Sequence, residues 1–260
     1  MLEWLGLIRS FVLYWRPGRQ RGLRRLYRPL VRPGDLVFDI GAHLGDRSAA
    51  FAALGARVIA LEPQRRFLLW LRWFVRDDVR VTVRRQAVGR SSGRAQLAVS
   101  RLTPTVSTLS DEWRNEVTRG NPGFRSVRWD RTEEVPVTTL DHLIAEFGVP
   151  RFCKLDVEGY EAEALAGLSE PIAAVSVEFV QGSLPVALAC VQRLEALGSY
   201  EYNAIPNEGR VYHFPEWVAP ERIREWLSLG AGDSSSGDLY ARLKSEREVG
   251  LGSLVPEAKP

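Results

Sequence analysis

Unbroken apolar runs that end in an acid or a glycine, each followed by a stretch of helical periodicity, set the limits on how this chain can fold. "DLVFDI" (35–40), "RVIALEP" (57–63) and "IAAVSVEFV" (172–180) are of this kind, and "VRVTVRRQAVG" (79–89) and "PRFCKLDVEG" (150–159) are further strand candidates. A strand without polar alternation is buried on both faces, the condition of a parallel sheet covered by helices on either side. Helical patterns fall between them at 47–55, 64–77, 160–168, 185–198 and 219–229. Residues 134–148 pass from extended to helical, with Thr139 or Asp141 as N-cap. Segments 200–205 and 238–244 close the sheet. The order predicts an α/β fold: a Rossmann-like, doubly wound, mostly parallel sheet of seven strands.

At 260 residues the chain has room for one large domain with a full core. The expected division is an Arg-rich helical extension at 1–32, the α/β domain at 33–246, and a loose tail at 247–260. Within the domain, 93–100 is an extra strand leading into a polar insertion, 101–134, ordered by Trp113, Phe124 and Trp129. Its hydroxyls Thr105, Ser107, Thr108 and Ser110, with Trp113, suit the acceptor side of a site; the alternative is a solvent-facing loop that caps the following helix.

Leu2, Leu5, Ile8, Val12 and Trp15 recur at helical spacing before Pro17-Gly18, and seven arginines follow between positions 16 and 32. Such a helix either lies on an anionic lipid surface, a weak membrane contact, or covers a sheet edge or substrate cleft. No run is long enough to span a bilayer, and no small-residue cleavage site follows the first apolar stretch. A net charge of +3 is too mild to imply nucleic acid. Only two cysteines occur, Cys153 and Cys190, which suits a reducing cytoplasm. Only three lysines occur against many arginines, a bias expected of a GC-rich bacterial genome, and it makes Lys154 conspicuous inside a strand.

In a doubly wound sheet, ligands bind beyond the carboxyl ends of the strands. The first turn, "DIGAHLG", spaces Gly41 and Gly45 as G-x-x-x-G, without the G-x-G-x-x-G of a dinucleotide site. Asp39 would repel a pyrophosphate and attract a ligand that carries an ammonium and a sulfonium. Glu62, ending the second strand before Pro63, can accept hydrogen bonds from vicinal ribose hydroxyls. Gln86 and Ala87 in "QAVG" are placed for an adenine edge and face. Together these favour S-adenosylmethionine over NAD.

The motifs "GDLVFDIGAHLGDRS", "ALEP", "QAVG", "VPVTTLD" and "KLDVEGYEAEAL" over 33–182 resemble the FkbM-type methyltransferases. The resemblance implies a Rossmann-type, class I O-methyltransferase acting on hydroxyls of sugars or natural products. It implies that Asp39, Gly41, Ala42, Gly45 and Glu62 hold the cofactor, with His43 standing where the family usually has asparagine.

"CKLDVEG" sets Lys154, Asp156 and Glu158 at alternate positions, one face while the strand lasts. Asp156 is expected by the donor methyl and Glu158 by the acceptor, with Glu178 of "SVEFV" joining them, so one of these carboxylates can take the hydroxyl proton. Lys154 either shares in catalysis or neutralises a buried carboxylate. No metal is required, although Asp156, Glu158 and Glu178 offer oxygen ligands for a divalent ion. The competing readings are an NAD(P)-linked oxidoreductase and an inactive cofactor-binding module. Oligomeric state is not legible.

Overall fold

The computed structural model describes residues 11–12, 14–75, 78–207 and 209–244. In chain order its elements are α1 (Arg19–Tyr27), β1 (Leu36–Ile40), α2 (Asp46–Ala53), β2 (Arg57–Leu61), α3 (Arg65–Val75) and β3 (Val81–Arg84). Next come β4 (Ala87–Val88), β5 (Gly93–Val99), α4 (Asp111–Gly120), β6 (Arg131–Thr138), α5 (Leu140–Phe147) and β7 (Phe152–Leu155). The chain continues with α6 (Glu161–Ala166), β8 (Ala174–Val180), α7 (Leu184–Leu197), β9 (Tyr200–Pro206), α8 (Pro220–Ser228) and β10 (Ser236–Leu243).

The main sheet has seven strands in the order β3-β2-β1-β7-β8-β10-β9. β1 pairs in parallel with β2 and β7, β2 with β3, and β7 with β8, whereas β10 runs antiparallel to both its neighbours. The order reverses between β1 and β7, so their carboxyl ends flank a crevice. Successive residues of β1 bury on opposite sides: Phe38 and Ile40 join one core with Leu155 and Val177, and Val37 joins the other with Phe51 and Phe152. That two-sided burial is the physical content of the unbroken apolar runs.

The expected third strand, 79–89, is corrected. It divides where Arg84, Arg85 and Gln86 interrupt the apolar run, and Ala87–Val88 leaves for a second sheet ordered β4-β6-β5. The insertion after β5 is ordered, with α4 at its centre. Thr139 is the N-cap of α5, its side chain accepting from His142 N at 3.0 Å, while Asp141 accepts from Ser169 N at 2.7 Å.

The expected N-terminal helix lies mostly outside the described residues, as does the tail from 247. What is described of the extension packs on the domain. Phe11 meets Trp70 at 5.0 Å between ring centroids, Trp15 stacks on Phe74 at 4.1 Å, and Tyr27 meets Phe51 at 4.5 Å. Arg19 Nε donates to Asp46 Oδ2 at 2.6 Å, both side chains buried, which ties α1 to the start of α2. Among the described residues, no helix is long and apolar enough to cross a membrane.

Strand β10 fits between β8 and β9 only because residue 237 lacks a side chain. A Cβ there would stand 2.5 Å from Ile205 O and 2.6 Å from Phe179 Cζ. Gly237→Ala is therefore expected to destabilise the fold by about 1–3 kcal/mol, as overpacking of a filled core does. Urea unfolding checks it, and an unchanged midpoint would refute the packing argument.

Candidate active site

The turn after β1 is built from residues that tolerate its backbone. Gly41 has φ 81°, and a Cβ on it would stand 1.9 Å from Asp156 O, so glycine is what lets the β1 and β7 ends approach. Gly45 serves differently from the expectation. It caps α2 with φ 75° and faces Leu71 Cδ1 of α3, outside the cavity that the turn borders, so its place is in helix packing rather than ligand contact.

That cavity, of about 780 Å³, is bordered by Asp39, Gly41, Ala42 and His43 from the first turn and by Glu62 and Pro63 after β2. Gln86, Ala87 and Val88 border it as well, as do Asp156 and Glu158. Asp39 is 1% exposed; its Oδ2 accepts from Ser48 Oγ at 2.5 Å, while Oδ1 has no partner. Burial raises the Asp39 pKa, against the opposing pull of Lys154. Glu62 accepts from His43 N at 3.0 Å and from Gln64 N at 2.8 Å, yet burial still lifts its pKa to about 7. His43 lies between Tyr14 and Phe67, with ring centroids at 5.1 and 4.1 Å, and burial lowers its pKa to about 4. The imidazole is thus neutral at physiological pH and adds no positive charge to the site.

Several bordering residues were not among those expected from the sequence. Tyr14 comes from the extension, Arg47 from α2, Leu97 from β5 and Tyr160 from the turn before α6. Gln64 was adjacent to a legible motif. Its Nε2 donates to Pro104 O at 3.2 Å and its Oε1 accepts from Ser107 Oγ at 3.3 Å, which joins the insertion to the cavity wall.

The acceptor-side assignment for 101–134 needs correction in detail. Thr105 and Ser107 border this same cavity, but Thr108 accepts from Ser110 N and Ser110 caps α4 by accepting from Trp113 N. Trp113 is 1% exposed and packs on Gly159, where a Cβ would meet its Cδ1 at 2.0 Å. These groups hold the local fold. A second cavity of about 630 Å³ opens instead between α1 and the sheet edge, bordered by Arg19, Tyr27, Arg210 and Asp238. It shares Tyr14, Arg47, Asp156 and Glu158 with the first, so the two meet at the β7 end.

The alternation expected through Lys154, Asp156 and Glu158 stops at Leu155, where β7 ends. Lys154, 1% exposed, borders neither cavity; its Nζ donates to Asp156 Oδ2 at 2.5 Å. Of the two expectations for it, the pairing with a buried carboxylate is the contact it makes. Burial opposes both charges, but Asp156 raises the Lys154 pKa, and Lys154 with Arg47 holds Asp156 below the usual carboxylate range. Glu158 stands in the turn with φ 55°, and Glu161 Oε1 fixes that turn by accepting from Val157 N at 2.9 Å and Gly159 N at 3.4 Å. Burial, then the charges of Asp156 and Glu161, raise the Glu158 pKa well above its ordinary value. Burial and then Glu158 do the same to Glu178, whose Oε2 has no partner. Oxygens of Asp156, Glu158 and Glu178 lie within 4.8 Å of one another. Such an edge holds one ionised carboxylate and two that keep protons to higher pH.

The profile of the Methyltransferase FkbM domain matches residues 39–232. Among solved structures, the chain is similar to a precorrin-6Y C5,15-methyltransferase from Geobacter metallireducens GS-15, at 12% identity and a TM-score of 0.44 over 87% of this chain and 88% of that one. It is also similar to a putative O-methyltransferase from Klebsiella pneumoniae, at 11% identity and a TM-score of 0.45 over 88% and 81%. No curated protein matches. The domain match spans most of the sequence and takes in both the β1 turn and the β7 acids, and by it the chain belongs to the FkbM methyltransferase family.

Proposed function

We propose that the protein transfers a methyl group from S-adenosylmethionine to a hydroxyl of a small acceptor, a saccharide or natural product, in the bacterial cytoplasm. One observation carries this reading: two cavities meet at Asp156 and Glu158, one lined for a nucleoside and the other almost wholly polar.

The residues of the first cavity fit the cofactor. Asp39 keeps a buried oxygen without a partner, suited to a cationic group. A carboxylate offers about four lone-pair sites, so Glu62 can take ribose hydroxyls beside its two backbone donors. Ala87, Val88 and Leu97 present an apolar wall to a flat base, with Gln86 at its edge. When bound, S-adenosylmethionine supplies a methyl group on a sulfonium, with a neutral thioether as leaving group.

The chain's own work is positioning and proton removal. Asp156, paired with Lys154, stays ionised and fixed. Glu158 reaches both cavities and has its proton affinity raised by burial and by Asp156, so once ionised it is a stronger base than an ordinary carboxylate. It accepts the acceptor hydroxyl proton as the C–O bond forms. A second reading, a divalent ion lowering the hydroxyl pKa, is favoured by the 4.8 Å grouping of Asp156, Glu158 and Glu178 oxygens.

Glu62 titrates near 4.5 when free and near 7 in the fold, so the folded protein holds an extra proton between those values. The stability from this group is complete below pH 4.5 and is lost as pH rises through 7. Ribose hydroxyls favour the charged form, so binding of S-adenosylhomocysteine near neutral pH should release a proton, read by calorimetry in buffers of different ionisation heat. Glu62→Gln should end that release and weaken binding by about 10- to 100-fold. Tighter binding of NAD than of S-adenosylhomocysteine would overturn the cofactor assignment.

Glu158→Gln should retain S-adenosylhomocysteine affinity and lower kcat by about 10²- to 10⁴-fold, the usual worth of a general base. Asp156→Asn, which removes the fixed negative charge that helps raise the Glu158 pKa, should move the ascending limb of the kcat–pH profile to lower pH. A limb that stays in place, or full activity without Glu158, would count against the base. Turnover is expected to survive EDTA; its loss, with recovery on adding magnesium, would favour the metal reading.

A further inference from the structure

The second cavity carries an arginine that the methyl-transfer reading leaves unused. Arg210 follows β9, is half-buried, borders the second cavity but not the first, and makes no hydrogen bond or ion pair among the described residues. Its guanidinium lies directly on α1 at Gly22, where a Cβ would stand 1.4 Å from Nη1 and 2.4 Å from Cζ. A helix interior ordinarily disfavours glycine. Here glycine leaves the space that the guanidinium occupies.

Its neighbours differ. Arg19 is committed to Asp46 at 2.6 Å. Arg47 borders both cavities, lies 3.9 Å from Asp46 Oδ1, and has a buried Nε without a partner. The cavity also carries acids: Glu178 and Asp238 are cross-strand partners, and Asp156 and Glu158 adjoin Glu178. An anion is repelled by these carboxylates and drawn to Arg210, whereas a hydroxyl belongs beside Glu158. Resting on the methyl-transfer reading, we propose that the acceptor is bifunctional. It presents a hydroxyl to Glu158 and a carboxylate or phosphate to Arg210, as a hexuronate or a hexose phosphate would. Both oxyanions match the fork of N–H donors on a guanidinium.

The test uses full-length protein saturated with S-adenosylhomocysteine and titrates in glucuronate, glucose 6-phosphate or glucose by calorimetry. At least one anion should bind about 10- to 100-fold more tightly than glucose, the worth of hydrogen bonds to a charged group. Which anion wins separates carboxylate from phosphate recognition. Arg210→Ala should abolish the preference. Gly22→Ala should abolish it too, by displacing the guanidinium, while its melting temperature stays level or rises because alanine favours the helix. Equal binding of all three sugars, binding of neither anion, or a preference that survives both substitutions overturns the proposal. A wild-type protein that fails to bind S-adenosylhomocysteine is a distinct result, seen in the first titration, and it removes the methyl-transfer reading underneath.

Discussion

A desolvated ammonium stands at the centre of the active edge. Lys154 occupies the middle of β7, in register with Asp39 on β1 and Ser176 on β8, and is 1% exposed. Burial of such a charge is tolerated only where a carboxylate neutralises it, and Asp156 does so at 2.5 Å. The pair decides how the remaining carboxylates behave. With Asp156 held ionised, Glu158 and Glu178 meet a fixed negative charge in a confined space, and both hold their protons above the ordinary range. Lys154 thus divides one acidic cluster into an anchored anion and two carboxylates that keep their protons to higher pH.

The turn that presents Glu158 has its own supports. A non-glycine residue at φ 55° costs about 1–3 kcal/mol and persists only where its surroundings impose it. Glu161 binds the N–H groups on either side of Glu158, and Trp113 packs on Gly159 just beyond. Trp113 is in turn held by the rest of the insertion: Trp129 and Phe124 meet it at 6.3 and 5.4 Å between centroids, and Ser183 Oγ donates to Glu116 of α4 at 2.5 Å. The insertion therefore shapes the β7 turn through Trp113, while its Thr105 and Ser107 border the first cavity.

The extension belongs to the site in the same sense. Arg19 pairs with Asp46 and lies 4.9 Å above the Tyr14 ring, and Tyr14 meets His43 in the first turn. α1 thereby borders the second cavity, and Tyr14, which precedes it, borders both. The amphipathic segment that precedes α1 lies mostly outside the described residues.

What could be read along the chain was whatever depends on neighbours in sequence. Two-sided burial leaves unbroken apolar runs, so β1, β2 and β8 were legible, as were the acids and glycines at their ends, because a ligand site at a strand's carboxyl edge recurs at fixed offsets from the strand. Nothing local separates Gly41, which admits Asp156 O, from Gly45, which admits Leu71; that distinction exists only once β7 and α3 are in place. The same holds for Trp113 and Arg210: one packs on Gly159 of the β7 turn and the other lies on Gly22 of α1, contacts that no local pattern announces. Residue type and pattern fixed where chemistry could occur, and the folded arrangement decided which side chains reach it.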